Sequence, residues 1–353
     1  YNSENIFDAN FLDKFYYASI SNDVNFEATA NLGKLLFYDP ILSADNKMAC
    51  ASCHAPEKAF TDGRQTSLSN TGVSLKRNAM TLNYATYASG FFHDMRTKRL
   101  EDQFEHVVLN NDEFATDYLQ IIEKLNESPT YVKKFKEAFP NQSRTIMSNN
   151  IDYALVAYVM QLNSFDSKFD QYVQGKTTSL PKDVERGLNL FAGKAACASC
   201  HFMPLFSGTV PPLFIESESE VLGVPDHKDA PLILDDDIGR LGNGLTQEEA
   251  PFFKHAFKTP TVRNIAKTAP YMHNGVYDSL EEVMQFYNEG GGAGRGIAID
   301  NQTLAADPLG LTEAEIKDII SFMKALTDEK QFEAPVNLPK DFSQPSWNDR
   351  IMK

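Results

Sequence analysis

Two segments, Cys50-Ala51-Ser52-Cys53-His54 and Cys197-Ala198-Ser199-Cys200-His201, hold all four cysteines of the chain. Each places two thiols one helical turn apart, with an imidazole directly after the second. That pattern suits covalent attachment of a c-type haem: the thiols form thioethers with the vinyl groups, and the adjacent imidazole is held under the iron as proximal ligand. Other readings fit less well. Zinc would require each Cys-Cys-His set to find a further ligand elsewhere. A thioredoxin-like redox pair does not require the following His, and no βαβ pattern surrounds either motif. With no cysteine left over, there is no disulfide framework. The expectation is two covalently bound haem c groups, one on Cys50, Cys53 and His54, the other on Cys197, Cys200 and His201. Attachment of this kind belongs outside the bacterial cytoplasm, which implies a periplasmic or otherwise exported protein.

Two haem motifs call for two sets of flanking helices. Before the first, Ala28 to Tyr38 sets Leu32, Leu35 and Leu36 on one stripe and ends at Asp39-Pro40. Before the second, Pro181 opens a segment with Val184, Leu188 and Phe191 at helical spacing, running to Gly193. Between them, Asn150 to Gly175 reads as one long helix with Ile151, Leu155, Val159, Leu162, Phe165, Phe169 and Tyr172 as its apolar positions, and Lys176 to Ser179 reads as a linker. Met203 to Pro260, rich in Pro, Gly and acidic residues, reads as irregular structure around the haem edge. Ser279 with Glu282 and Thr312 with Glu315 are capping boxes that open the last two helices. The first of these puts Leu280, Val283, Met284 and Tyr287 on its buried face. The fold class is all-α, with two cytochrome c-like domains: 1–175, 176–328, and a C-terminal strap over 329–353.

The 353 residues, 42% of them hydrophobic, suffice for two such cores. The longest apolar runs fall short of the roughly 18 to 20 residues of a membrane span, and the chain opens at Tyr1 without an initiator Met, as expected of a processed soluble protein. A net charge of -15 argues against nucleic acid or an anionic membrane as partner and leaves room for basic redox proteins.

The sequence resembles the bacterial di-haem cytochrome c peroxidases, a family that includes the MauG-type enzymes. The resemblance runs from about Leu32 to Leu326. It rests on Leu32 to Asp39, the two haem motifs, Lys76-Arg77-Asn78 with Thr81-Leu82-Asn83, and Phe92-His93-Asp94-Met95-Arg96. It continues through Val108-Leu109-Asn110 with Glu113, Thr259 to Asn264, and Thr268 to Gly275. The resemblance implies a role for each haem. The N-terminal haem, with His54 as proximal ligand, is the peroxidatic one, and the C-terminal haem on His201 feeds it electrons. Family peroxidases that need reductive activation carry a distal His after the first motif. Phe60 to Arg77 contains none, and Asn70 stands roughly in its place, so the expected distal side holds water or nothing. By the same resemblance the sixth ligand of the C-terminal haem falls on Tyr287, as in MauG-type enzymes, with Met284 one turn earlier as the alternative. Glu113 and Gln103 take the acid-base and peroxide-orienting roles that the family assigns to their positions. His93 replaces a Trp that in the family lies between the haems. It is an electron-relay candidate or a hydrogen-bonded bridge between propionates, against a plain structural role at the interface. Asn78, Thr268 and Pro270 occupy the positions that hold a calcium ion in the family.

The function expected is reduction of hydrogen peroxide to water, with electrons from a small redox protein such as a cytochrome c or cupredoxin. A second reading is a MauG-like enzyme that uses high-valent haem to oxidise residues of a partner protein. A third is a plain electron carrier. The family often forms homodimers.

Overall fold

The computed structural model describes residues 25–243, 245–334 and 337–351. It is helix-rich. Among the described residues the only strand pairing beyond isolated bridges joins β1, Ser219–Glu220, to β2, Phe257–Lys258, antiparallel.

Helix α1, Phe26–Tyr38, starts where the Asn25 side chain accepts from the Ala28 amide, and it buries Leu32, Leu36 and Phe37. It stops at Asp39, before Pro40, whose ring has no amide hydrogen to continue the ladder. Helices α2, Leu100–Leu109, α3, Tyr118–Asn126, α4, Pro129–Ala138, and α5, Ser148–Met160, surround it. Their apolar faces, with the segment that carries Cys50, form one buried core that includes Phe60, Ile121, Tyr131, Phe135, Leu155 and Val159. A second core gathers Phe169, Val184, Phe191, Phe206, Phe286, Ile319 and Phe322. It is built by α6, Lys168–Val173, α7, Lys182–Ala192, α9, Leu280–Asn288, and α11, Glu313–Ala325. Short helices α8, Ala250–Phe253, and α10, Gly291–Gly294, lie in the irregular stretches between them.

The long helix read over Asn150 to Gly175 is two helices, α5 and α6. Phe165 turns to φ 47°. Asn163 ends the first helix by donating to the Met160 carbonyl (3.1 Å) while its side-chain oxygen accepts from the Tyr84 amide (2.6 Å). Ser167 then opens a new helix through a reciprocal capping box with Asp170. The apolar spacing runs on across the break because Leu162 serves the first core and Phe169 the second.

The two halves repeat one local construction. In each, two helices cross at a glycine. A Cβ on Gly33 of α1 would lie 1.7 Å from the Ala154 carbonyl oxygen of α5, and one on Gly187 of α7 would lie 2.0 Å from the Asp318 carbonyl oxygen of α11. After each haem motif a phenylalanine takes positive φ, Phe60 at 61° and Phe206 at 49°. Thr81 donates to the Ala59 carbonyl and Thr261 to the Leu205 carbonyl, both at 2.6 Å. Tyr84 and Asn264 share φ 61°, and the bridges Phe91 to Thr97 and Tyr271 to Tyr277 precede α2 and α9 respectively. The register that matches Phe92 to Met272 and Leu100 to Leu280 therefore also matches Val107 to Tyr287.

The C-terminal segment returns to the first core. Phe332 packs on Phe60 (5.5 Å between ring centroids), Phe342 on Tyr131 (6.1 Å), and the Arg350 guanidinium pairs with the buried Asp39 carboxylate. The Asp39 carboxylate also accepts from the Tyr131 hydroxyl at 2.6 Å.

Candidate functional site

Each motif begins as one turn of 3-10 helix, Cys50–Ser52 and Cys197–Ser199, with the His amide bonded back to the first cysteine's carbonyl (3.0 and 2.9 Å). His54 Nδ1 lies 2.8 Å from the Phe60 carbonyl. A carbonyl only accepts, so Nδ1 carries the proton and Nε2 keeps its lone pair. His201 is held in the same way by the Phe206 and Pro260 carbonyls (3.3 and 3.1 Å). Burial lowers the pKa of both imidazoles and keeps them neutral, the form that can ligate a metal. The four cysteines are free thiols, and burial pushes Cys50 and Cys197 up to about 12 and Cys53 to about 11. Both motifs thus present protonated thiols and a neutral imidazole, with the Cys197 thiol donating to the Ala195 carbonyl at 3.6 Å.

A cavity of about 320 Å³ opens beside the first motif. Its lining includes Cys53, His54, Gln103, Val107, Asn110 and Glu113, together with His93 and Lys258. Helix α2 supplies Gln103 and Val107, one turn apart on the same face. Past its end the chain curls back, the Glu113 amide to the Asn110 carbonyl (3.0 Å) and the Phe114 amide to the Val107 carbonyl (3.3 Å), which brings Glu113 to the same cavity. The Asn110 side chain donates to Glu113 Oε1 at 2.7 Å. Burial raises the Glu113 pKa, while that hydrogen bond and the charge of Arg96 pull it back. Asn110 does not stand out in the sequence as a site residue in its own right. The signal is its place three residues before an acid in a polar turn.

Asn70 is tied to the loop that carries Glu113: its amide donates to the Asp112 carbonyl and its side chain to the Asn111 carbonyl, both at 2.9 Å. It is not part of the cavity lining.

Around the second motif, Tyr287 of α9 is partly buried. Burial raises its phenol pKa, and the Cys197 and Cys200 thiols and Glu220 raise it further. Met284 is buried in the second core, as is Phe286. Tyr287 is the counterpart of Val107, which faces the first cavity, whereas the counterpart of Met284 is Phe104, which does not.

Between the halves, His93 donates from Nε2 to the Asn78 carbonyl at 2.9 Å. Burial, with the His273, Arg77 and Lys258 charges nearby, holds its pKa down to about 3, so it is a neutral imidazole. His273 stacks on Phe257 (3.7 Å between centroids) and donates to Asp235 (3.1 Å). His106 and His227 are exposed, whereas His255 is half-buried and donates from Nδ1 to the Asp237 carbonyl at 2.7 Å. Of the positions expected to hold calcium, the Asn78 side-chain Nδ2 donates to the Arg64 and Gln65 carbonyls (2.8 and 3.3 Å). The Thr268 and Pro270 carbonyls accept no hydrogen bond among the described residues. Carbonyl oxygens left over in this way suit a hard cation, yet no hydrogen bond joins the three positions to one another.

Comparison with known proteins gives a consistent result. The family model described as di-haem cytochrome c peroxidase matches residues 27–178. A cytochrome-c peroxidase, IdrP1, of Pseudomonas sp. (strain SCT) is 32% identical over 84% of this chain and 80% of its own. The methylamine utilization protein MauG of Methylorubrum extorquens is 28% identical over 88% of this chain and 80% of its own. Among solved structures, a MauG-like protein associated with microbial copper homeostasis superposes with a TM-score of 0.71 at 30% identity, covering 86% of this chain and 90% of that one.

Proposed function

Since the chain belongs to the di-haem cytochrome c peroxidase family and is an oxidoreductase of the haem peroxidase type, we propose that it reduces hydrogen peroxide to water beside His54, with electrons relayed through the haem on His201. The single observation that carries this reading is the contrast between Val107 and Tyr287. At matched positions of matched helices, the first site has a side chain with no donor atom and the second has a phenol. In this reading Val107 would leave an iron held by His54 open to peroxide, and Tyr287 would offer a ligand to an iron held by His201. We read the helix-rich fold as two cytochrome c-like units, 1–175 and 176–328, with a strap over 329–353; α6, within the first of these bounds, packs in the second core.

Haem iron, when bound, supplies the site where peroxide loses its O–O bond and where electrons enter. The chain's own residues handle the proton. Glu113 accepts it from the near oxygen of peroxide and delivers it to the far oxygen, so that water leaves as the bond breaks heterolytically. A carboxyl held above its ordinary pKa by burial is a stronger base for the first transfer than a solvated one. Gln103, four residues before Val107, offers an amide that can hydrogen-bond the peroxide and hold it in line. His54 keeps its ring plane through the Phe60 carbonyl, a contact backed by Phe332 of the C-terminal strap.

In this reading the electron donor is a small redox protein, a cytochrome c or cupredoxin, the location is periplasmic or otherwise exported, and Asn78, Thr268 and Pro270 would supply oxygen atoms to a calcium ion. Tyr287 favours one other reading: a phenolate ligand lowers the potential of the second haem, so that both haems can share a stored oxidising equivalent and the enzyme acts on residues of a partner protein, as a MauG-like enzyme would. Steady-state turnover of peroxide with reduced cytochrome c or cupredoxin decides between them. Fast turnover is the expected result, and slow turnover beside a long-lived oxidised state would overturn it in favour of the second reading.

A further inference from the structure

The contact between the two halves is built on a local two-fold relation. The Asn78 amide donates to the His273 carbonyl and the Lys258 amide to the His93 carbonyl, both at 2.7 Å. In the register that matches Val107 to Tyr287, Asn78 and Lys258 are counterparts, as are His93 and His273. The relation breaks in charge. One side carries a neutral amide and the other an ammonium.

Among the described residues Lys258 has no carboxylate partner. Its Nζ donates to the Gly90 carbonyl at 3.0 Å and lies 5.8 Å from the centre of the Phe91 ring. Neighbouring Arg77, by contrast, is bound by both Asp94 and Asp237. Desolvation alone lowers the Lys258 pKa, to about 8, with no acidic group to oppose it. A half-buried cation served by one carbonyl and a ring face is left short of partners unless an anion completes it. Lys258 lines the same cavity as Cys53, His54, Gln103 and Glu113. Glu113, the one carboxylate side chain in that lining among the described residues, has its own partner in Asn110 and takes Arg96 as its charged neighbour. His93, the sequence's candidate for bridging propionates, has spent its Nε2 proton on the Asn78 carbonyl and is neutral, so it brings no charge.

We propose that Lys258 is the binding group for a propionate carboxylate of the haem held at Cys50, Cys53 and His54, and that its charge raises the reduction potential of that haem above the value it would have alone. The inference rests on haem attachment at the first motif, as the proposed function does, but not on peroxide turnover. Fixing a unit positive charge near a haem stabilises the reduced, more negative state. For a charge about 10 Å away in a partly buried setting, the effect is about tenfold in the reduction equilibrium, equivalent to about 59 mV for one electron.

The test uses the resting holoprotein without peroxide. In Lys258→Met the haem-to-protein ratio is expected to stay at two, the potential of the N-terminal haem to fall by about tenfold in its equilibrium constant, and the propionate-bending modes in the resonance Raman spectrum to shift. Lys258→Arg is expected to restore the potential while still altering those modes, because a guanidinium replaces the ammonium as donor. His93→Gln is expected to leave the propionate modes unchanged. If Lys258→Met does not load haem, Lys258→Arg alone decides through the Raman modes. Unchanged potential and unchanged propionate modes in a loaded Lys258 variant, or modes that follow His93, would overturn the assignment. Loss of peroxide turnover with these spectra intact would instead count against the proposed function.

Discussion

Replacing Glu113 with Gln tests the proposed chemistry most directly, because the change is nearly isosteric and removes only the ability to take up a proton. The Asn110 side chain donates to Glu113 Oε1 at 2.7 Å, and a Gln side-chain oxygen can still accept that bond, so the loop should keep its shape. General acid-base catalysis contributes about 10²- to 10⁴-fold to a proton-coupled step, or about 2.7 to 5.4 kcal/mol. The second-order rate constant for the haem absorbance change on stopped-flow mixing with hydrogen peroxide should therefore fall by about 10²-fold or more. Its pH dependence should change as well. The Glu113 pKa is raised, so its carboxylate is lost as pH falls through a value above the ordinary glutamate range, and the wild-type rate constant should drop along that acid limb. Glu113→Gln has no such limb. Asn110→Ala removes a hydrogen bond that favours the charged form, so its limb should move to higher pH. A Glu113→Gln rate constant within about twofold of wild type, with the acid limb intact, would remove Glu113 from the mechanism.

Tyr287→Met exchanges phenolate for thioether at the C-terminal haem and should raise its potential, by on the order of 0.1 V within the ~0.8 V range that axial ligands command. Spectroelectrochemistry and ferric electron paramagnetic resonance check this, and spectra unchanged in both Tyr287→Met and Tyr287→Phe would exclude the tyrosine as ligand. Arg263 is fully buried, with two hydrogen bonds to the equally buried Asp170 (2.8 and 2.7 Å) and one to the Pro204 carbonyl (2.9 Å). Arg263→Met leaves Asp170 as an unpaired buried charge and should cost about 3–5 kcal/mol in denaturant unfolding, and a cost under about 1 kcal/mol would refute the pairing. Asp152 has its pKa raised to about 7, first by burial, and accepts from the Tyr118 hydroxyl. A carboxyl with a raised folded-state pKa contributes stability that is complete below the unfolded value near 4 and is lost as pH rises through about 7. Asp152→Asn should therefore flatten the loss of thermal stability between about pH 4 and 8, and an unchanged profile would show that Asp152 does not titrate there.

Features that depend on side-chain identity can be read from the sequence. Cys-x-x-Cys-His is a covalent requirement, and the capping boxes at Ser279 and Thr312 mark helix starts through their own side chains. The helix-rich class followed from those signals. What stayed hidden depends on the backbone or on register. The carbonyls of Phe60 and Phe206 fix the histidine tautomers, and any residue has a carbonyl, so no residue type betrays them. The break after Met160 was hidden because apolar spacing continues through it toward a different core. It is the hydrogen bonds of Asn163 and the box at Ser167 that end one helix and start the next. Lys258 stands one residue before the segment Thr259 to Asn264, yet its lack of an anion can be seen only once the charges around it are placed in space.

The internal repeat explains why one scaffold can hold two sites of different character. The glycine crossings, the positive-φ phenylalanines and the threonine-to-carbonyl bonds recur in both halves, so the two motifs share these elements of their backbone frame. The differences sit at single positions mounted on that frame. In the proposed reading Val107 against Tyr287 sets whether a donor atom is offered to the open side of the motif, and Asn78 against Lys258 sets which half brings a charge to the boundary. Gln103 has Val283 as its counterpart, so the amide is confined to the first half as well. Exchanging the residues at one such pair, Val107→Tyr with Tyr287→Val, should therefore transfer the closed coordination from the second haem to the first without disturbing the fold, because both positions lie on the same face of equivalent helices. A variant with native helix content and an unchanged ferric electron paramagnetic resonance spectrum would mean that coordination is set elsewhere than at this pair.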